Sequence, residues 1–235
     1  MAEFAWKLWL QSAFRLLFPK RCAVCDATLQ DGEEALCFRC NIGMPRTLYH
    51  LEKDNEVEKM FWGKMPLERA TSYMFYQKGG DYRRILHLLK YEGRKDLGYT
   101  MGRLMAMDVG RNGFFEGIDV IVPIPLHPSR QRERGYNQSE CLAEGISAVT
   151  GIPVDTSSVR RCVHTQSQTK KSAYERWENV SGIFDAPDKD KLAGKHVLIV
   201  DDVLTTGATI VACADALAGV ENIRFSVLTL AIARS

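Results

Sequence analysis

The sequence predicts an α/β protein whose parallel sheet carries helices on both faces, with a small four-cysteine module ahead of it. Three observations lead there. Val197-Leu198-Ile199-Val200 is an uninterrupted apolar run that fits a strand covered on both faces, and Ala208 to Ala218 follows it with helical spacing at Ile210, Ala214 and Leu217. Two more runs, Asp119 to Pro125 and Ile223 to Ile232, read as strands of the same sheet, with helical segments between them. Finally, Cys22-Ala-Val-Cys25 and Cys37-Phe-Arg-Cys40 are separated by eleven residues, the spacing of a four-thiolate zinc site.

With 235 residues, 46% of them hydrophobic, the chain can build one sizeable core and a small appendage. The division expected is a module at residues 1–66 and an α/β domain at residues 67–235. A net charge of +2 leaves any nucleic-acid binding to local clusters of basic residues. No apolar run approaches the ~18 residues of a spanning helix, and the first residues lack the layout of a cleavable secretion signal. The expected location is the cytoplasm, where thiols stay reduced and metal binding is favoured over disulfides.

In chain order, Met1 to Phe18 reads as a helix with Glu3, Lys7, Gln11 and Arg15 in one polar stripe on an apolar cylinder, suited to packing on this chain or on a second copy as a homodimer. Next, Cys22, Cys25, Cys37 and Cys40 would fill all four positions of one zinc ion, so the metal's role is to fold a module too small for a core of its own, expected to be separate from the core of the α/β domain. Asn41 to Leu67 is polar and reads as linker. Leu67 to Gln77 is β-prone, Gly79-Gly80 ends it, and Asp81 is expected to cap a helix burying Ile85, Leu86, Leu88 and Leu89. Lys90-Tyr91-Glu92-Gly93 reads as a solvated turn before a second helix, Leu97 to Val109.

The strand ending at Pro125 delivers a basic stretch in which Arg130, Arg132 and Arg134 alternate. Three such residues cannot share one helical face, so the expected form is an irregular loop that turns several guanidinium groups toward a polyphosphate. Asn137 to Val149 is a helix with Leu142, Ile146 and Val149 inward and Cys141 as a buried thiol. Val159 to Cys162 is a short strand. Gln166 to Val180 is polar, basic and poor in branched apolar residues, which reads as a mobile loop.

The chemistry concentrates after Val200. Gly207 permits a tight turn, the hydroxyls of Thr205, Thr206 and Thr209 can donate, and the following helix presents free amides, which together favour a bound phosphate. Asp201 and Asp202 would repel that phosphate, so they should face hydroxyls or a divalent cation, and a sugar phosphate offers both. The plainer alternative is a capped turn beside a solvated acidic pair. A P-loop does not fit, because no Gly-Lys-Ser/Thr follows.

Val197 to Thr209 resembles the 5-phosphoribosyl diphosphate (PRPP) signature of type I phosphoribosyltransferases: an apolar strand, two acidic residues, two small apolar ones, then Thr-Thr-Gly-x-Thr. The resemblance implies a type I phosphoribosyltransferase-like sheet in which Asp201 and Asp202 hold the ribose hydroxyls. Val203, Leu204, Thr205, Thr206, Gly207, Ala208 and Thr209 would form the loop around the 5′-phosphate. Pro-x-Pro-Leu-His-x-x-Arg, then Arg-Gly-Tyr-Asn-Gln, with the cysteine module in front, resemble the ComF branch of competence-associated phosphoribosyltransferase-like proteins. That resemblance implies Arg130 and Arg134 at the diphosphate, Lys170, Lys171 or Arg176 brought to it by the mobile loop, and a magnesium ion bridging it. It also implies an acceptor hood built from Leu67 to Val109. With no N-terminal nucleophilic cysteine or glutaminase domain in the sequence, a complete glutamine amidotransferase is not expected. Two functions remain open: phosphoribosyl transfer with diphosphate release, or a non-catalytic role in natural competence, handling single-stranded DNA in the cytoplasm. A third possibility, a regulator whose PRPP site is only a sensor, is not separable from the first by sequence.

Overall fold

The computed structural model describes residues 19–162 and 182–233. The helix expected at Met1 to Phe18 and the loop expected at Gln166 to Val180, with Lys170, Lys171 and Arg176, lie outside the described residues. The strands are β1 (Leu67–Tyr76), β2 (Val120–Pro123), β3 (Arg160–Arg161), β4 (Phe184–Asp185), β5 (His196–Leu204) and β6 (Arg224–Ala233). The helices are α1 (Phe38–Ile42), α2 (Glu56–Lys59), α3 (Arg83–Tyr91), α4 (Lys95–Val109), α5 (Pro128–Arg134), α6 (Gln138–Thr150) and α7 (Ala208–Ala216).

Four strands form one sheet in the order β1-β6-β5-β2, and every neighbouring pair is parallel. The apolar runs thus become strands covered on both sides, as expected for a parallel sheet. One face packs Leu198, Val200, Leu228 and Leu230 with Met101 and Met105 of α4 and Leu142 and Ile146 of α6. The other packs Val197, Ile199 and Val227 with Ile210, Val211 and Cys213 of α7 and with Phe61. The strand around Arg160 lies apart from this sheet, paired antiparallel with β4.

Several expectations are corrected. Residues 41–66 are not a linker. Thr47 N–H donates to Tyr73 O at 3.1 Å and Phe75 N–H to Pro45 O at 2.8 Å, so this segment lines the outer edge of β1. Asn55, only 4% exposed, donates to the carbonyls of Tyr49, Glu52 and Ala70 and accepts from the amides of Val57 and Glu58. A polar residue here pairs buried backbone groups, which composition alone reads as solvation. The cysteine module is not separate from the domain's core: Cys22, Ala23, Leu36 and Cys40 share one buried cluster with Tyr73, Met74, Ile85 and Leu89. Asp81 does not cap α3, whose N-cap is Tyr82. Leu67 to Val109, expected as a hood, supplies β1 and α4 to the domain's own layers. The part of it that reaches the carboxyl ends of the strands is α3.

Helices α4 and α6 approach closely because glycine lines their contact. A Cβ on Gly102 would lie 2.1 Å from Leu142 O, and one on Gly145 would lie 2.1 Å from Tyr99 O. Replacing Gly102 by Ala gains about 1 kcal/mol of helix propensity, but forcing the helices apart costs ~1–3 kcal/mol or more. The clash is with backbone, which no rotamer relieves, so the cost prevails. Gly102→Ala and Gly145→Ala are expected to lower stability by about 1 kcal/mol or more, measured as a lower urea midpoint at unchanged slope.

Candidate functional site

The apolar part of β5 ends at Val200, yet its pairing with β6 continues through Asp201, Val203 and Leu204. The two carboxylates therefore project from a strand end held by the sheet. Asp201 Oδ1 accepts from Ser139 Oγ at 3.1 Å and from the Asp202 amide at 2.8 Å. Asp202 Oδ2 lies 3.0 Å from Lys90 Nζ. Burial, and then the charge of Asp202, push the Asp201 carboxyl up to about 7, while the Asp202 amide, Lys90 and Ser139 pull the other way. The segment read as a solvated turn thus carries the cation that faces the acidic pair, because α3 runs on through Lys90 and Tyr91.

The Arg-Gly-Tyr-Asn-Gln motif holds this arrangement in place. Gly135, at φ 76°, ends α5 in a left-handed conformation that favours glycine. Asn137 caps α6 by accepting from the Ser139 amide at 3.1 Å and also donates to Ile124 O at 3.0 Å. Tyr136 Oη and Gln138 Nε2, the latter at 3.3 Å, both donate to the carbonyl of Leu89. The motif therefore fixes two places at once: the end of α3, which bears Lys90, and the start of α6, which bears Ser139.

Beyond the acids, Leu204 is buried in the core while Thr205 and Thr206 are exposed. Gly207, at φ 78°, is the N-cap of α7. A Cβ there would come within 2.9 Å of the Phe61 ring, so a residue of the supposed linker underlies the threonine loop. Any side chain at Gly207 would meet both that ring and an unfavourable φ.

The arginines stand on a helix, which corrects the expected irregular loop. His127 Nδ1 accepts from the Ser129 amide at 3.3 Å and Pro128 occupies the first turn, two signals that start a helix. Arg130 and Arg134, four residues apart, line a cavity of about 440 Å³ together with Lys90, Tyr91, Gly93 and Glu133. Arg134 also donates to Gln138 Oε1 at 2.9 Å. Arg132 does not line this cavity. Arg161, which sequence reasoning passed over, lies where burial and then the charge of Arg130 hold its pKa below the usual arginine value, with Asp201 acting oppositely. Lys90 and Tyr91 also line a cleft of about 950 Å³, together with Val203, Tyr76, Lys78, Arg83, Arg84 and Val24 of the cysteine module.

In that module the four sulfurs of Cys22, Cys25, Cys37 and Cys40 all lie within 4.8 Å of one another, and Cys25 and Cys37 are 3.7 Å apart. Four sulfurs ~2.3 Å from one tetrahedral ion stand ~3.8 Å from each other, so the cluster fits a single metal ion. Burial would raise the Cys22 pKa, but the amides of Cys25, Cys37 and Val24 outweigh it and bring the thiol down to about 7. Cys141 and Cys213 differ: burial pushes them up to about 11 and about 12, so they stay protonated and inert. The module is tied to α3, since Tyr82 Oη donates to Cys40 O at 2.8 Å and Arg84 pairs with Asp26 at 2.8 Å.

A parallel sheet with an acidic pair, a threonine-glycine loop and a cationic cavity at its carboxyl edge defines a phosphoribosyltransferase-type domain. The family model for the phosphoribosyl transferase domain matches residues 138–234, which take in α6, β5 and the loop. The chain is similar to the DNA utilization protein YhgH of Escherichia coli K12, 30% identical over 194 residues that cover 80% of each chain. It is also similar to Competence protein F of Haemophilus influenzae, 29% identical over 203 residues, 82% of this chain and 88% of that protein. Competence protein ComFC of Bacillus subtilis is 36% identical over 91 residues, 39% of this chain and 35% of that one. The chain belongs to the ComF family.

Metal analysis of the purified protein is expected to find one ion per chain, lost in Cys37→Ser combined with Cys40→Ser. Because the cysteines share the main hydrophobic cluster, metal removal should lower the melting temperature of the whole domain, by about 10 °C or more. A melting curve that keeps its main transition after chelation would contradict this coupling.

Proposed function

We propose that the site binds PRPP, or a closely related ribose phosphate, and that the protein transfers the phosphoribosyl group to an acceptor with release of diphosphate. The observation that supports this reading is the order of groups at the sheet's carboxyl edge. Phosphate donors at Thr205 to Thr209, hydroxyl acceptors at Asp201 and Asp202, and cations at Arg130 and Arg134 match the 5′-phosphate, ribose and diphosphate of one ligand. In this reading the carboxylates orient the ribose and the loop amides grip the 5′-phosphate. Arg130 and Arg134 stabilise charge growing on the leaving diphosphate, assisted by Lys170 and Arg176, so the gain comes from orientation and electrostatics. Magnesium on the diphosphate would neutralise part of that charge. Zinc is the ion that four thiolates select, with a folding role because no coordination position is left open. Four reduced thiolates suit the cytoplasm. Among the described residues, no helix is long and apolar enough to cross a membrane.

A second reading, single-stranded DNA handling in natural competence, draws on the names of the relatives and on the 950 Å³ cleft, where Lys78, Arg83, Arg84 and Lys90 stand beside Tyr76 and Tyr91. Cations for phosphates next to aromatic rings for bases are the elements of such a groove.

Calorimetric titration with magnesium and PRPP tests the first reading. Asp201→Asn combined with Asp202→Asn should weaken binding tenfold or more, about 1.4 kcal/mol or more, in a protein that stays folded. Unchanged affinity in that folded variant would remove the assignment. The Asp201 carboxyl is protonated below about 7 in the free protein, whereas a ribose hydroxyl donates best to the ionised form. Affinity should therefore rise from pH 6 to pH 8 and level off above, and Asp201→Asn should flatten the rise.

For the second reading, a labelled single-stranded oligonucleotide should bind with a log–log salt slope of about −0.7 per neutralised phosphate. Absence of binding at low salt would dismiss it.

A further inference from the structure

We propose that Lys90 is a two-position cation: it neutralises Asp202 in the unliganded protein and moves to the diphosphate when ligand arrives. This inference rests on the ribose-phosphate reading and assigns a role to a residue outside the recognised motifs. Its ammonium lies 3.0 Å from Asp202 Oδ2, with side-chain exposures of 26% for Lys90 and 14% for Asp202, so the pair is partly desolvated. The backbone beneath it is pinned, because Tyr136 and Gln138 both donate to the Leu89 carbonyl. The stem above it is flexible, four methylenes carrying a compact charge.

The same residue lines the cavity of about 440 Å³ whose other charged groups are Arg130, Arg134 and Glu133. Three cations against one carboxylate make that cavity attractive to a polyanion. Lys90 also touches the acidic pair, through Asp202. When ribose hydroxyls reach Asp202 they compete for the oxygen that Lys90 occupies. An anion in the neighbouring cavity offers the displaced ammonium a better partner than water does. Breaking the ion pair and forming the new contact are thereby linked, and only a ligand carrying both a ribose and a diphosphate drives both. An arginine here would grip Asp202 with two parallel hydrogen bonds and release it less readily.

The test uses the full-length, metal-loaded protein titrated with three probes: PRPP with magnesium, diphosphate with magnesium, and ribose 5-phosphate alone. In Lys90→Gln, affinity for PRPP and for diphosphate should fall roughly tenfold or more. Affinity for ribose 5-phosphate should stay level or rise, because the competitor for Asp202 is gone. Lys90→Arg should keep diphosphate binding and weaken ribose 5-phosphate. Equal losses for all three probes in Lys90→Gln would show that Lys90 only positions Asp202 and would overturn the proposal, as would unchanged PRPP affinity. Wild-type protein that binds none of the three would overturn the ribose-phosphate reading itself; wild-type protein that binds all three beside an unaffected Lys90→Gln overturns only this inference.

Discussion

Two adjacent carboxylates at the end of a buried strand impose the constraint around which this fold is arranged. Asp201 and Asp202 continue β5 into the sheet's edge, where desolvation and mutual repulsion both act against charge. Left alone, such a pair would protonate or distort the strand. The chain supplies a hydroxyl from α6, an amide from the strand itself and an ammonium from α3. That requirement explains why α3 and α6 must be positioned relative to each other, which is what Tyr136, Asn137 and Gln138 do through Leu89 and Ile124. A motif whose arginine lines the cationic cavity thus spends its other residues on geometry. The glycine contact between α4 and α6 serves the same end at longer range, since it sets how closely α6 lies on its layer.

What could be read from the sequence was local. The apolar run at Val197 to Val200, the acidic pair, the threonine-glycine loop and the paired cysteines each declare themselves within a few residues, because strand burial, tight turns and metal knuckles have short-range signatures. What stayed hidden was contact between distant segments. Lys90 looked like part of a turn, since nothing within its neighbourhood points to Asp202, more than a hundred residues on. Asn55 looked like linker because its partners are backbone carbonyls, which composition does not display. Phe61 showed itself as apolar but not as the floor of the Gly207 turn. The alternating arginines differ in kind: all three cannot share one helical face, but two of them, at i and i+4, can.

The cysteine module belongs in this account as an abutment for α3. Tyr82 and Arg84, in its first turn, hold the carbonyl of Cys40 and the carboxylate of Asp26; Lys90, in its last turn, holds Asp202. One short helix therefore joins the four-cysteine module to the acidic pair. Its inner residues Ile85, Leu86 and Leu89 lie in the cluster that includes Cys22 and Cys40. A metal ion held by the four cysteines would steady the start of α3, the end opposite the one from which Lys90 reaches Asp202. The cleft lined by Arg83, Arg84, His87 and Lys90 of α3 also takes in Val24 of the module and Val203 of the strand end, so it has walls from both parts of the chain. A ligand in that cleft would contact the module and the strand end together. Where α3 lies therefore sets both a wall of that cleft and the cation that faces the acidic pair.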